Sequence, residues 1–420
     1  MNAASWLIPT ILVLAYLLEL VANLLNLSAL KQPPAPEIAD LEDKDQRQRS
    51  CAYTRAKTQL EIWQSTLSLI AVLLFWFAGG FNLLDQLVRG FGWGLVATGT
   101  AYIGGLMLLM QLLGLPFDLY GTFVIEGRFG FNKTTPATFV GDWLKGWLLA
   151  LVLGGPLLAV ILLFFEKSGP WAWLYCWGAA GLFMVFVQYI APTWLLPLFN
   201  RFTPLPEGEL REAIIAYAKR VRFPLSNLFE VDGSRRSGKG NAFFVGFGKQ
   251  KRIALFDTLI ANHGVEELVA ILAHEVGHYK MGHIPKGTLL SILHLGGMFY
   301  LMSLFLSESG WLMALGLEQP SVYGGLVFFS LLFTPVELIV TPAMKWMTRK
   351  FEYEADRFAA RSLDDPSQLV KSLKKLSGSH LSNLTPHPFY VILHYSHPPL
   401  AQRIAALQRV IAGREQDATR

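Results

Sequence analysis

The sequence predicts an all-α multi-pass membrane protein that carries a water-facing domain in its connections. Three observations predict it. Apolar residues make up 52% of the 420 residues and charged residues only 16%, against about 25% charged in a soluble chain, and the mean hydropathy is +0.37. Seven stretches, 6–25, 63–84, 93–115, 147–165, 171–199, 287–306 and 322–344, have the length and apolarity to span, which takes about 20 residues for about 30 Å of hydrocarbon. Basic residues collect in alternate connections between them. This composition excludes a soluble multidomain enzyme and a disordered chain. Two cysteines, Cys51 and Cys176, exclude a disulfide framework.

The first stretch is a retained span. No Lys or Arg precedes it and no small-residue cleavage site follows. Residues 1–5 hold no Lys or Arg and 26–62 hold six, and the next connections hold one (85–92), three (116–146) and one (166–170). Thirteen lie in 200–286, none in 307–321 and twelve in 345–420. The short loops set the orientation, with the N-terminus outside and the 26–62 loop, the 200–286 segment and the tail in the cytoplasm. Cys51 then sits in a reducing compartment and Cys176 in the fifth span, so no disulfide is expected. The membrane is a bacterial inner membrane or the endoplasmic reticulum.

Four parts follow in order. Residues 1–200 carry spans one to five, 201–286 the first part of a polar domain, 287–344 the last two spans, and 345–420 the rest of the domain. In the insert, Glu209–Val221 reads as a surface helix by its apolar periodicity. Asn227–Asp232, Ala242–Val245 and Arg252–Phe256 read as short strands, the last two joined by a hairpin turn at Gly246–Lys251. A helix then runs from Val265 to about Gly282.

That helix holds His274-Glu275-Val276-Gly277-His278, an H-E-x-x-H. Residues four apart share a helical face, so both imidazoles can reach one Zn²⁺, and Glu275 beside the first is placed to take a proton from an attacking water. Gly277 costs about 1 kcal/mol against Ala inside a helix. A catalytic zinc takes three protein ligands. The third is not at Ile284, where one protease class would have His. His283, extrapolated along the helix, lies off the ligand face and is expected to support a ligand or meet solvent. The remaining source is Phe351-Glu352-Tyr353-Glu354-Ala355-Asp356, where Glu352 and Asp356 share a face and one can ligate while the other orients its neighbours.

At this point the chain resembles the CAAX prenyl protease type 1 family, integral-membrane zinc metalloproteases of the a-factor-converting type. The resemblance rests on H-E-V-G-H-Y-K-M-G-H (274–283), F-E-Y-E-A-D (351–356) and Y-S-H-P-P-L-A-Q-R (395–403). It extends to G-T-F-V-I-E-G-R-F-G-F-N (121–132), L-F-N-R-F-T-P-L-P-E-G-E-L (198–210) and D-G-S-R-R-S-G-K-G-N-A-F-F (232–244). It implies seven transmembrane helices forming a barrel around a polar chamber, closed by a cytosolic zinc-metalloprotease domain of helices plus a small β-hairpin. It implies one Zn²⁺ on His274, His278 and Glu352. It implies that His397 and Arg403 contact the scissile region, and that the edge strand at Asn241 and Ala242 pairs with substrate. Glu354 lies about 200° around the helix from Glu352 and Asp356 returns to its face, so Asp356 is expected behind the ligand. Glu354 is expected to be a solvated or interfacial carboxylate of little consequence. Ionisable groups in a bilayer normally face a cavity or a partner. His294 and Glu337 are therefore expected to line the chamber, the alternative being a helix–helix hydrogen bond; Glu19 lines it or reaches the interface.

The implied chemistry is hydrolysis of a peptide bond in an extended segment. Glu275 is the general base and His397 and Arg403 are donors to the oxyanion, a role worth about 3–4 kcal/mol per donor. The partners are a peptide or protein substrate, either prenylated C-termini or membrane and misfolded proteins, and the bilayer. A monomer is expected, with no nucleic acid and no ATP. Gly233–Gly240 imitates a phosphate-binding loop, but Gly240 stands where Ser or Thr should hold Mg²⁺, and the strand Ala242–Val245 follows instead of a helix. It reads as a flexible basic loop beside the site. Two other classes fit less well. A site-2-type intramembrane protease would carry its motif in a span, but Glu266, Glu267, Glu275 and Lys280 make 265–286 too charged. A non-enzymatic zinc-binding or transport protein leaves Glu275 without a role.

Overall fold

The computed structural model describes residues 3–41, 44–245, 251–307 and 318–418. The expected hairpin turn, from 246 to 250, and most of the 307–321 loop lie outside them.

Among the described residues, six helices are long and apolar enough to cross a membrane: Leu7–Ala29, Lys44–Phe77, Leu95–Glu126, Pro136–Lys167, Gly169–Leu198 and His283–Ser307. Val322–Leu332 and Thr334–Ser362 make a seventh if taken as one span bent by 57°. Pro335 sits just past the bend, and proline supplies no backbone N–H and disfavours helix in the residue before it. The second stretch ends earlier than its apolar run. Its helix stops at Phe77, Gly79 adopts a left-handed conformation (φ 73°), and a separate helix runs Gly80–Arg89. The helices meet around an aromatic core that includes Phe81, Tyr102, Phe328 and Phe329. Both cysteines are free thiols.

His294 and Glu337 do not stand alone toward a cavity. His294 Nε2 lies 3.1 Å from Glu337 Oε1 across two helices, and Thr341 donates to the other carboxylate oxygen at 2.9 Å. The two side chains are paired between helices. Glu19 pairs with His394 at 3.0 Å.

The polar domain contains more sheet than a hairpin. Four strands, β1 (Phe202–Pro204), β2 (Leu225–Val231), β3 (Ala242–Val245) and β4 (Lys251–Phe256), lie in the order β1-β2-β4-β3. β2 and β4 run parallel, and the outer pairs are antiparallel. β1 is too short to show a two-residue alternation, so periodicity does not reveal it. β3 is an edge strand, with Ala242 opposite Leu255.

One buried cluster joins this sheet to helices from both polar segments. Leu272 and Val276 of the motif helix, Val265–Lys280, pack with Ile253 and Leu255 of β4, Ala359 of Thr334–Ser362, Leu369 and Leu407. The two segments, far apart in the chain, share one core.

The loop after β2 is anchored rather than flexible. Arg236 grips Asp142 with two bonds, 2.7 and 3.0 Å, and Lys239 donates to Tyr53 Oη at 2.6 Å beside Glu126 at 3.3 Å. Its partners stand on membrane helices 94 to 186 residues away, beyond any local reading of its basic residues.

Candidate active site

The motif helix and the helix Thr334–Ser362 cross closely, and Gly277 permits it. A Cβ there would stand 2.9 Å from both the Ala355 Cα and the Ala355 carbonyl oxygen. The contacts are backbone, so they cannot swing aside. The helix-weakening glycine is therefore what brings Glu352 to the histidines. Gly277→Ala is expected to destabilise the protein by about 1–3 kcal/mol, as overpacking does, and to weaken zinc binding. Thermal unfolding and metal content of the purified variant check this.

His274 Nε2 and His278 Nε2 are 3.1 Å apart, and each lies 3.3 Å from a Glu352 carboxylate oxygen. Hydrogen bonding behind the rings settles what these atoms present. Asp356 Oδ1 is 2.8 Å from His274 Nδ1, so that nitrogen carries a proton, and in the neutral ring that a metal requires Nε2 keeps the lone pair. His278 Nδ1 lies 2.9 Å from His283 Nδ1, and His283 Nε2 donates to the Glu354 carboxylate at 3.0 Å, so in a neutral His283 the Nδ1 lone pair accepts from His278 and gives it the same tautomer. Two lone pairs and a carboxylate thus converge on one point, and Glu352 Oε2, in a residue 2% exposed, makes no hydrogen bond. Such a convergence of donor atoms suits a metal cation. Tetrahedral zinc with bonds of about 2.0–2.1 Å places its ligand atoms about 3.3 Å apart, close to the observed spacing, so the residues fit the metal.

Burial pushes the Glu352 carboxyl upward, but the imidazoles and the Arg403 charge outweigh it and hold Glu352 well below the usual carboxylate range. Burial pushes Glu275 up, which suits a group that must both accept and release a proton. Arg403 donates from Nε and Nη2 to Asp356 at 2.8 and 2.7 Å, leaving Nη1 3.6 Å from Glu352 Oε2. The His397 side chain is 63% exposed, with Nε2 3.3 Å from Glu352 Oε1, and stands at the open side. A 630 Å³ cavity is lined by Asn241, Ala242, His274, Glu275, His397 and Arg403 among others. The sequence-expected residues are thus gathered around one cavity, with His278 and Asp356 directly behind its wall.

Residues 23–201 match the family model described as CAAX prenyl protease N-terminal, five membrane helices, and residues 204–411 match Peptidase family M48. The CAAX prenyl protease 1 homolog of Arabidopsis thaliana is 34% identical, covering 94% of this chain and 95% of that one. The chain belongs to the CAAX prenyl protease type 1 family. The Homo sapiens homolog of that family is 30% identical over 89% of this chain and 88% of its own. A crystal structure of S. mikatae Ste24p superposes with a TM-score of 0.90 at 31% identity, covering 97% of this chain and 99% of that one. The chain is a membrane zinc metalloprotease of M48 type, embedded as a multi-pass protein.

In this M48 protease His283, expected to support a ligand or meet solvent, lies behind His278, and Glu354 lies behind His283. His283 does not continue the motif helix. That helix ends at Lys280, Gly282 takes a left-handed conformation (φ 67°), and the chain turns back so that the His283 ring meets His278. Glu354 is not merely solvated: His283 Nε2 lies 3.0 Å from its Oε2. The glycine at 282 was the available signal that helical extrapolation stops there.

Burial raises the Asp356 carboxyl, yet the Arg403 charge and the bonds from Arg403 and His274 bring it down to about 2. Its stabilisation is complete above the unfolded value of about 4 and is lost as pH falls through about 2. Between those pH values the parent is expected to lose more thermal stability than Asp356→Asn, which lacks the titrating group. Unfolding midpoints across that window test the difference.

Proposed function

We propose that this protease removes a short C-terminal peptide from prenylated proteins at the cytoplasmic membrane face. His274, His278 and Glu352 hold zinc, and Glu275 acts as the base. The observation that carries the reading is the convergence of two imidazole lone pairs and the otherwise unbonded Glu352 oxygen beside Glu275 in one cavity. The substrate class is supported by the printed names of the relatives, CAAX prenyl proteases. It is supported also by an apolar wall of Leu259, Ile271, Leu369, Leu373 and Leu376, suited to aliphatic side chains following the scissile bond.

An extended substrate adds to the free edge of β3, with backbone groups near Asn241 and Ala242 pairing with it. A zinc held by His274, His278 and Glu352 would supply a Lewis acid for the scissile carbonyl and lower the pKa of the attacking water. Glu275 takes the proton as the water oxygen bonds to the carbonyl carbon, then hands it to the amine as the C–N bond breaks. His397, at the open side, donates to the oxyanion; Arg403 adds Nη1 while its other donors hold Asp356. A farnesylated peptide ending in two aliphatic residues and a variable one should release its last three residues, identified by mass spectrometry. The same peptide without the lipid should be cut more slowly. Equal cleavage of both would remove prenyl recognition from this reading.

The proposed architecture is a seven-span barrel around a polar chamber, with 201–286 and 345–420 forming one protease domain around 287–344. The shared core of those segments and the bent 322–362 pair support it. The orientation, N-terminus outside, is supported by the distribution of Lys and Arg. Reporter fusions after residue 50 and at residue 420 are expected to be cytoplasmic, and one near Glu308 on the opposite side. A cytoplasmic signal at Glu308 would break the seven-span arrangement.

A further inference from the structure

We propose that His283 and Glu354 form a two-residue hydrogen-bond relay that positions His278 for the metal, doing for the second histidine what Asp356 does for the first. The inference rests on the zinc reading above.

The proton positions follow one from another. His278 must direct the Nε2 lone pair at the metal point, so its Nδ1 carries the proton and donates to His283 Nδ1 at 2.9 Å. His283 Nδ1 therefore holds a lone pair, and its remaining N–H, on Nε2, donates to Glu354 Oε2 at 3.0 Å. Only this arrangement satisfies every nitrogen with neutral rings. His283 is held where it must be: it is 4% exposed, and its ring stacks on Phe351 at 4.3 Å with the planes 10° apart. Phe351 and Glu354 bracket the ligand Glu352 on one helix, so the helix that supplies the third ligand also braces the second. The three acids of Glu352-Tyr353-Glu354-Ala355-Asp356 then have separate tasks: Glu352 meets the metal, Asp356 backs His274 directly and Glu354 backs His278 through His283.

The relay differs from simple packing in being serial. Glu354 can act on the metal only through the His283 ring, so its contribution should vanish when that ring loses its nitrogens. The test is zinc affinity, measured by chelator competition on the full-length detergent-solubilised protein. The variants are His283→Phe, which keeps a ring for the Phe351 stack, Glu354→Gln, and the double variant. Each single change should weaken zinc binding by about 10–100-fold, the usual effect of a group behind a ligand. The double variant should bind no more weakly than His283→Phe alone. Single variants with the parent's affinity would overturn the relay, as would Glu354→Gln weakening zinc in the His283→Phe background as much as in the parent. Thermal unfolding of the metal-free proteins separates a structural role, in which stability drops while zinc affinity holds; that too would overturn it. A parent that bound no zinc at all would instead sink the metal reading beneath.

Discussion

Glu275→Gln keeps its metal and loses turnover by about 10²–10⁴-fold, the range that a general base contributes. Gln is nearly isosteric with Glu, and the converging metal-ligand atoms come from His274, His278 and Glu352. What the substitution removes is a proton acceptor whose affinity burial has raised. Elemental analysis and peptide hydrolysis on one preparation read both halves. Near-normal turnover with metal bound would take the base role away from Glu275 and leave the two-histidine geometry without its chemistry.

Glu352→Ala has the opposite signature, with the zinc itself lost. The change leaves two imidazoles, and it also strips His397 and Arg403 of the carboxylate they face at 3.3 and 3.6 Å. Arg403 keeps its two bonds to Asp356, so the fold around the site should persist and the loss should be read as metal. Metal content of the purified variant near zero per chain is the expected result. A variant that retained stoichiometric zinc would move the third ligand elsewhere on the helix.

The mutual placement of His274, His278 and Glu275 was legible because the information that sets it is local: five consecutive residues on a helix fix their relative directions. Glu352 was not legible in that way, since spacing alone allowed Asp356 to ligate instead, and the resemblance to a family made the choice. The contact of Glu354 with His283 was not legible because helical phase describes a residue's direction on its own helix and nothing of what packs there. The partner, His283, reaches it only because the chain reverses at Gly282. The basic loop at 233–240 was misread for a related reason, its carboxylate partners Glu126 and Asp142 lying on membrane helices. Hydrophobic length found the spans but not their ends. Gly79 and Pro335 broke two of them where apolar residues continued, because backbone conformation and a missing N–H outweigh hydropathy there.

The central claim is that one zinc, held by His274, His278 and Glu352, makes this chain a peptidase. Stripping the purified protein with a chelator and titrating zinc back while following peptide hydrolysis tests it most directly. Activity should be absent from the stripped protein and should rise to saturation at one zinc per chain, with Glu352→Ala showing no such recovery. Full hydrolysis by the stripped protein, or recovery in Glu352→Ala equal to that of the parent, would contradict it.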